Sequence, residues 1–384
     1  MDNSNNILFT IGWPIGQGGH IQSLLNIITE IKERDDRKKI YLIGPSGSKI
    51  EHFQSIGVNY IQLNKKSRLQ LINLIEFSFK IFSLSVRNRI DVIHSMDYES
   101  LKPSIISNIF LNKILIFTKA GGPPISKKLK YPYVSKLIVF SKELIDNFFV
   151  NQKHLAKNTV LIKERISVNK FSQIKNQTNK MLIAMRFDSQ KKIMLDNLFD
   201  ELKKLKIDNP IQMDLCGEGP LLSHYKAIGK IIVKNNRNIK LNFLGEISSI
   251  NKLNDLYNNS FLVIGHGRGI MEAMALGKAV VLLHYDAKGS SLILKNNIEG
   301  IAQYNFSGRK VNRGSLSLSE TIEEHFRNHG FLKKIGIYNK KYIKNNYDIG
   351  IGVNKLLNVY KDATNINFNQ RIQNVSWVIK RFLG

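Results

Sequence analysis

The sequence predicts a two-domain α/β protein in which each domain holds a doubly wound parallel sheet. The chain has 384 residues, which is too long for one ordinary domain and suits two domains of roughly 150–200 residues. Short apolar runs alternate with segments of helical period from residue 7 onward, and the same alternation restarts near residue 180. Such β-α-β alternation favours parallel sheets of the Rossmann type. From about residue 320 the pattern becomes helical to the end.

The first half contains six apolar runs of strand length. They are residues 7–12, 39–44, 58–63, 91–95, 113–118 and 136–141. Between the first two runs, apolar side chains recur every three or four positions from Ile21 to Ile31, which is the period of an amphipathic helix. The first half is therefore predicted to form one Rossmann-like domain.

The second half repeats this order. Its predicted strands are residues 180–186, 211–219, 239–245, 261–265 and 278–283. The polar segment 171–179 has no period and is the predicted domain boundary. We therefore expect an N-terminal domain over 1–172 and a C-terminal domain over 173–365. A last helix over 366–384 is expected to pack back on the N-terminal domain.

Charge is the compositional outlier, because Lys and Arg total 57 against 30 Asp and Glu, a net charge of +27. Such an excess attracts nucleic acid, anionic membranes or phosphate-bearing substrates, although coding biased toward A and T would produce it too. The single Cys216 favours a reducing, cytoplasmic setting. We expect neither a secretory leader nor a membrane span, since no uncharged apolar run reaches about 18–20 residues.

A glycine turn at residues 16–20 separates the first predicted strand from the first predicted helix. Gly18 and Gly19 would let the backbone approach a phosphate at the helix N-terminus. The turn departs from G-x-G-x-x-G, and no acidic residue closes the next strand, which disfavours a dinucleotide-binding oxidoreductase. By itself the turn fits a structural role equally well.

Two cations follow the first strand of the second domain. Arg186 and Lys191 lie where that strand ends, and ligands of doubly wound sheets bind at the carboxyl ends of strands. A guanidinium can bind a diphosphate bidentately and an ammonium can neutralise it as a point charge. The alternative is two solvated cations in a basic protein.

The most informative motif spans residues 265–281. A strand runs into a turn with glycines at 265, 267 and 269, and a short helix comes next that carries Glu272 in its predicted first turn. The glycines free backbone N–H groups for a phosphate, and Glu272 could accept hydrogen bonds from a ribose diol. A glutamate that only complements the helix dipole would leave the glycine spacing unexplained.

These stretches resemble glycosyltransferase family 4, a group of mostly retaining enzymes with the two-domain GT-B architecture. The family motifs are G-G-x-E, D-V-I-H, V-S-x-x-L, G-R-L-x-x-x-K, G-x-G-P and E-G-F-G-x-x-x-x-E-A-M-A. The matching residues, in the family's order, are Gly18-Gly19, Asp91-Val92-Ile93-His94, Phe140-Ser141-Lys142-Glu143-Leu144, Arg186 with Lys191, Gly217-Glu218-Gly219-Pro220, and Glu272-Ala273-Met274-Ala275. The resemblance covers about residues 11–285, and the E-A-M-A block is its specific part.

The resemblance implies a sugar donor linked to UDP or GDP, bound mainly by the second domain, and a glycan or lipid-linked acceptor. Arg186 and Lys191 would then neutralise the leaving diphosphate. The donor-binding candidates are Gly18, Gly19, Gly267, Gly269 and Glu272. His94 and Asp97 are further catalytic candidates, although a histidine after a buried strand is also typical of a packed core. No metal and no separate cofactor are required, because fixed cations would do the work.

The sequence departs from the family pattern at three positions. Ile264 stands where the first glutamate of the E-x7-E pair is usual, Met96 replaces the second histidine, and Ala279 replaces a proline. In the family, the first two of these positions carry residues that contact the donor sugar. A sugar-nucleotide epimerase on the same fold and a non-catalytic sugar-nucleotide or glycan-binding homologue therefore stay open. A nucleic-acid binder is suggested only by charge, and no motif supports it.

The segment at about 67–87 combines many apolar side chains with Arg68, Lys80, Arg87 and Arg89. It predicts either a core helix of the first domain or a helix that binds anionic lipid on the cytosolic face.

Overall fold

The computed structural model of the chain describes residues 6–16, 18–63, 70–122, 130–170, 179–247, 249–285, 289–311, 317–326 and 328–382. The chain divides into two compact units. Unit 1 comprises Met1–Arg165 and Ile349–Gly384, and unit 2 comprises Ile166–Asp348. Each unit is built on a largely parallel sheet and the C-terminal region is helical, so the fold class predicted from the sequence is confirmed.

Unit 1 contains, among its described residues, a seven-stranded parallel sheet in the order β3-β2-β1-β4-β5-β6-β7. The strands are β1 (Ile7–Thr10), β2 (Ile40–Pro45), β3 (Asn59–Leu63), β4 (Val92–Ser95), β5 (Ile114–Lys119), β6 (Lys136–Val139) and β7 (Thr159–Leu161). β1 pairs with both β2 and β4, so the strand order reverses beside β1. Ligands of doubly wound sheets bind outside such a reversal, at the carboxyl ends of the strands.

Helices cover both faces of this sheet, as right-handed crossovers between parallel strands require. They are α1 (Gly19–Arg34), α2 (Ile50–Ser55), α3 (Gln70–Arg87), α4 (Tyr98–Leu111), α5 (Lys142–Asn151) and α6 (Lys153–Ala156). The helical period seen in the sequence places Ile21, Leu24 and Ile28 of α1 in the core. Residues 67–69, where the sequence predicts that α3 begins, lie outside the described part of the chain.

Unit 2 repeats this topology in a six-stranded sheet of its described residues, ordered β10-β9-β8-β11-β12-β13. The strands are β8 (Lys180–Ala184), β9 (Ile211–Cys216), β10 (Ile239–Gly245), β11 (Leu262–Gly265), β12 (Ala279–Leu283) and β13 (Ser290–Leu292). β13 alone is antiparallel to its neighbour among these strands. The helices are α7 (Lys192–Lys204), α8 (Leu222–Asn235), α9 (Ile250–Asn258), α10 (Arg268–Ala275), α11 (Ile298–Gln303), α12 (Leu318–Phe326) and α13 (His329–Tyr347).

The chain returns to unit 1 through two final helices, α14 (Ile349–Asp362) and α15 (Phe368–Phe382). α14 inserts Val353, Leu356 and Tyr360 into the core that α1 also lines, which explains why it joins unit 1. The units therefore divide after residues 165 and 348, whereas the sequence places the boundaries at 172 and 365. Most of the polar segment 171–179 lies outside the described residues.

α15 is held on unit 1 by side-chain to backbone hydrogen bonds. The Asn374 side chain accepts from the Tyr133 backbone N–H at 2.8 Å and donates to the Tyr133 carbonyl at 3.0 Å. The Trp377 indole donates to the Lys130 carbonyl at 2.7 Å. Both side chains satisfy main-chain groups of the segment that leads into β6.

His94 on β4 connects α14 to the sheet. Its ring is buried, with Nδ1 2.7 Å from the Tyr360 hydroxyl and Nε2 2.7 Å from the Thr118 hydroxyl. Burial lowers the pKa of His94 to about 3, so the imidazole is neutral near pH 7. A neutral imidazole has one donor nitrogen and one acceptor nitrogen, and each forms a hydrogen bond with one of the two hydroxyls.

Replacing Tyr360 by Phe should destabilise unit 1, because one nitrogen of the buried imidazole loses its partner. The expected loss is about 1–3 kcal/mol in the free energy of unfolding, measured by urea denaturation. Tyr41→Phe removes a hydroxyl from a half-buried side chain of the same unit and is the matched control. Equal losses in the two variants would show that the Tyr360–His94 bond adds no stability of its own.

Candidate functional site

The strand order of unit 2 reverses beside β8, as it does beside β1 in unit 1. Ala184 at the end of β8 pairs with Cys216 of β9 on one side and with Gly265 of β11 on the other. The loops after β8 and β11 therefore leave the same edge of the sheet. Of the site residues predicted for the second half, Arg186, Lys191 and Gly267 lie in these loops or in the short turn before α7. Gly269 and Glu272 lie in α10, which follows the second loop.

The loop after β8 is fixed by the glycine loop after β9. The Phe187 N–H donates to the Glu218 carbonyl at 2.9 Å, and the Leu221 N–H donates to the Phe187 carbonyl at 2.9 Å. Gly217 has φ of +140°, and a Cβ there would stand 1.9 Å from the Met185 carbonyl oxygen. The G-x-G-P motif thus supports the neighbouring loop by close backbone packing.

Arg186 and Lys191 are held in this supported loop. Arg186 is exposed and forms an ion pair with Asp188 at 3.2 Å. Lys191 ends a short 3₁₀ turn before α7, is half-buried, and lies with Nζ 4.9 Å from the centre of the Tyr285 ring. Burial, with the nearby Arg186 and Arg309 charges, lowers the pKa of Lys191 to about 8, while Asp188 opposes the shift.

Arg309 is a third cation at this edge, and the sequence motifs do not point to it. It follows Gly308, whose carbonyl accepts from the Tyr285 N–H at 2.8 Å, and the nearby Phe306 carbonyl accepts from the Gly267 N–H. These bonds fasten the arginine's loop both to the end of β12 and to the start of α10. A glycine followed by two cations, Gly308 to Lys310, was the only available signal in the sequence.

His266 lies within the field of the same cations. Burial and the charges of Lys191, Arg186 and Arg309 lower the pKa of His266 to about 3, so its ring is neutral near pH 7. Its Nδ1 is buried and accepts no hydrogen bond from any described residue. Three positive charges thus act on a neutral ring, and one of them, Arg186, forms an ion pair with Asp188. This excess of positive charge favours an anion with more than one charge.

The two glycines before the E-A-M-A block have different surroundings. Gly267 precedes α10 with φ of +61°, and a Cβ built on it would meet no described atom within 4 Å. A Cβ on Gly269 would stand 3.5 Å from the Tyr257 hydroxyl, which donates to the Gly269 carbonyl at 3.1 Å. Gly267 therefore borders open space, whereas Gly269 packs against Tyr257 of α9.

Glu272 is not in the first turn of its helix, and this prediction was wrong. Gly267 is the N-cap of α10 and Arg268 is its first residue, so Glu272 is the fifth helical residue. Its Oε1 accepts from Arg268 Nε at 2.7 Å, and the two side chains are 12% and 10% exposed. The carboxylate is thus already oriented by a neighbouring guanidinium.

The predicted residues of unit 1 lie at the carboxyl edge of β1 and β4, except His94 in the core. Gly18 has φ of +90° and precedes α1, whose first residue is Gly19. Asp97 precedes α4 and accepts from the backbone N–H groups of Gly12 at 2.9 Å and Ser100 at 2.7 Å. Burial raises the pKa of Asp97, while these donors favour its charged form. Its observed contacts order the loop after β1.

One concavity in unit 2 lies away from the cations. Its volume is about 750 Å³, and Leu205, Asp208, Asn236 and Glu320 are among the residues that line it. These residues precede β9 and β10 or begin α12, so the concavity lies at the amino edge of the sheet. Among the described residues, no group of three or more His, Cys, Asp or Glu side chains could hold a metal ion.

No family model matches this chain, and no curated protein matches it. Solved structures do match it. A glycosyltransferase from Rickettsia africae ESF-5 covers 94% of this chain and 98% of its own, with 17% identity and a TM-score of 0.71. HepE from Anabaena, solved with UDP and glucose, covers 93% and 100%, with 15% identity and a TM-score of 0.67.

A Listeria monocytogenes protein described as a UDP-N-acetylglucosamine 2-epimerase is also similar. It covers 92% of this chain and 94% of its own, with 12% identity and a TM-score of 0.59. At such identities the likeness shows the fold alone, which is the two-sheet GT-B fold. Glycosyltransferases and epimerases share it, so function must be argued from the site.

Proposed function

We propose that this protein is a glycosyltransferase that moves a sugar from a nucleotide-diphosphate donor to a glycan or lipid-linked acceptor. The observation that carries the proposal is the cluster of Arg186, Lys191 and Arg309 at the strand-order reversal of unit 2. Similarity to glycosyltransferases, one of them solved with UDP and glucose, adds support. Family 4 membership, hexosyl transfer and retention of the anomeric configuration are proposed from the sequence motifs.

The cation cluster would act on the leaving group. In the proposed reaction the bond between the anomeric carbon and the diphosphate oxygen breaks, and its electron pair stays on the diphosphate. The acceptor hydroxyl oxygen bonds to the same carbon, and its proton passes to the departing diphosphate. Preoriented cations stabilise the charge that develops on the leaving oxygen. Asp188, paired with Arg186, would keep that guanidinium directed along the loop.

The ribose and the backbone contacts are assigned to α10 and the turn before it. We propose that Gly267 lets the backbone approach the donor, because no described side chain fills the space beside it. Glu272, held by Arg268, would accept from the ribose diol through its carboxylate. Gly269 would contribute through its backbone. UDP is the first nucleotide to test and GDP the second.

In unit 1 we propose that the Gly18–Gly19 turn contacts ligand through its backbone. Asp97 stays a candidate that orders the loop beside that turn. His94 has both ring nitrogens occupied by hydroxyls, so any effect on catalysis would pass through the position of β4.

The product separates this proposal from its alternatives. A transferase releases the free nucleoside diphosphate and forms a new glycoside. An epimerase returns a nucleotide sugar with one inverted centre, and a binding protein returns the donor unchanged. Chromatography of labelled UDP-sugars after incubation with candidate acceptors would distinguish the three.

Replacing Arg186 or Lys191 by Ala should weaken binding of UDP about tenfold to a hundredfold, the scale of a charged hydrogen bond. Calorimetric titration is the measurement. Lys192→Ala is the matched control, because this adjacent lysine is exposed and forms its ion pair with Asp196 at 2.6 Å. If the Lys192 variant loses as much affinity as the Lys191 variant, the cations act only through net charge and the assignment is wrong.

Affinity for UDP should fall as the pH rises above about 8, because Lys191 binds the diphosphate only in its protonated form. At about pH 9, roughly one free molecule in ten keeps this proton, so the Kd rises up to about tenfold relative to neutral pH. The Lys191→Arg variant keeps its positive charge over this pH range, so its affinity for UDP should not change with pH. Parallel profiles for the two proteins would contradict a role for the Lys191 ammonium.

Replacing Glu272 by Gln should weaken UDP binding about tenfold to a hundredfold if the carboxylate holds the ribose diol. The same change should leave the affinity for 2′,3′-dideoxyuridine diphosphate unaltered, because that ligand lacks both hydroxyls. Comparing the two ligands also separates the two effects of the substitution. Loss of the ribose contact would lower the affinity for UDP alone, whereas loss of the Arg268 ion pair would lower the affinities for both ligands alike. Thermal melting of the ligand-free variant reports any change in stability.

A further inference from the structure

α3 carries an apolar side that faces away from unit 1. Six large apolar residues of this helix are exposed, among them Phe79 at 68% and Ile75 at 58%. The complete set is Leu71, Ile72, Ile75, Phe79, Phe82 and Val86. Soluble proteins rarely expose so many neighbouring apolar side chains, and such patches mark interaction surfaces.

The spacing places these side chains on one side of the helix. At 3.6 residues per turn, the six positions fall within an arc of about 100°. Phe77 and Ile81 point the other way and are buried in the core of unit 1. The core side of α3 is thus already occupied, and packing within unit 1 does not explain the exposed side.

Cations border the apolar side. Lys80 pairs with Glu76 at 3.0 Å, and Arg87 and Arg89 lie at the end of the helix. Basic residues beside an apolar stripe attract an anionic lipid surface while the stripe enters the acyl boundary.

Two further helices of unit 1, α4 and α15, also expose large apolar side chains. α4 packs on α3, where the Ser107 hydroxyl donates to the Ser78 carbonyl at 2.6 Å, and its Phe110 is 75% exposed. Asn365, just before α15, donates to the Asn112 carbonyl at 2.7 Å. α15 itself exposes Phe368, Ile372 and Ile379, followed by Lys380 and Arg381.

We propose that the α3 side of unit 1 docks on a bilayer containing anionic lipid, with the helix lying in the interfacial plane. None of the described helices is both long and apolar enough to span a membrane. A second copy of the chain is a poorer occupant, because each copy carries a net charge of +27 and two copies would repel each other. The proposal is independent of the sugar-transfer function, since it concerns the surface of unit 1 alone.

The test compares two double variants of the full chain in vesicle co-sedimentation. Ile75→Ser with Phe79→Ser changes the proposed surface. Ile231→Ser with Ile337→Ser is the control, because both residues are 57% exposed and belong to unit 2. The vesicles are phosphatidylcholine with or without phosphatidylglycerol, at low and high salt. Thermal melting checks that both variants stay folded.

The expected result is that the wild type and the control bind the anionic vesicles, while the α3 variant binds them at least about tenfold more weakly. Binding should also weaken at high salt and on neutral vesicles. Three results would overturn the proposal: no binding by the wild type, equal binding to both lipids, or equal losses in the two variants. A dimer that forms in solution and dissociates on changing α3 would assign this surface to a second copy instead.

Discussion

Parallel pairing of β8 on both of its edges is the constraint from which the site in unit 2 arises. β9 and β11 hydrogen-bond to opposite sides of β8, so the connections after β8 and β11 go to opposite faces of the sheet. The two loops therefore diverge after the strand ends. Lys191 follows β8 and His266 follows β11, and the Lys191 charge helps to lower the pKa of His266.

Bringing three cations together has an energetic cost that the rest of unit 2 must offset. The lowered pKa values of Lys191 and His266 record this cost, since each reflects burial beside like charge. Backbone hydrogen bonds around Gly217 and Gly308 keep the loops from spreading apart to relieve it. The site is therefore preorganised for an anion, whose charge offsets the repulsion among the three cations.

Much of the fold could be predicted from the sequence, because the apolar runs of the two halves correspond to β1–β6 and to β8–β12. β7 and β13 have only three residues each and were not predicted. Features that depend on contacts between distant segments could not. Arg309 belongs to a loop without a recognisable sequence pattern. The Gly267–Phe306 and Tyr285–Gly308 hydrogen bonds attach this loop to the start of α10 and to the end of β12. No sequence pattern indicated that the Tyr360 hydroxyl would form a hydrogen bond with His94. The start of α10 was misplaced because the dihedral angles of Gly267, rather than helix propensity, determine it.

The return of α14 to unit 1 also bears on how the protein acquires its structure during synthesis. Unit 2 is one continuous segment, so its strands and helices can assemble while the ribosome is still translating the last two helices. Unit 1 cannot complete its core until Val353, Leu356 and Tyr360 have left the exit tunnel. The half of the chain that is made first is thus the half that matures last. In the interval, the apolar face of α1 that α14 will cover stays open to chaperones.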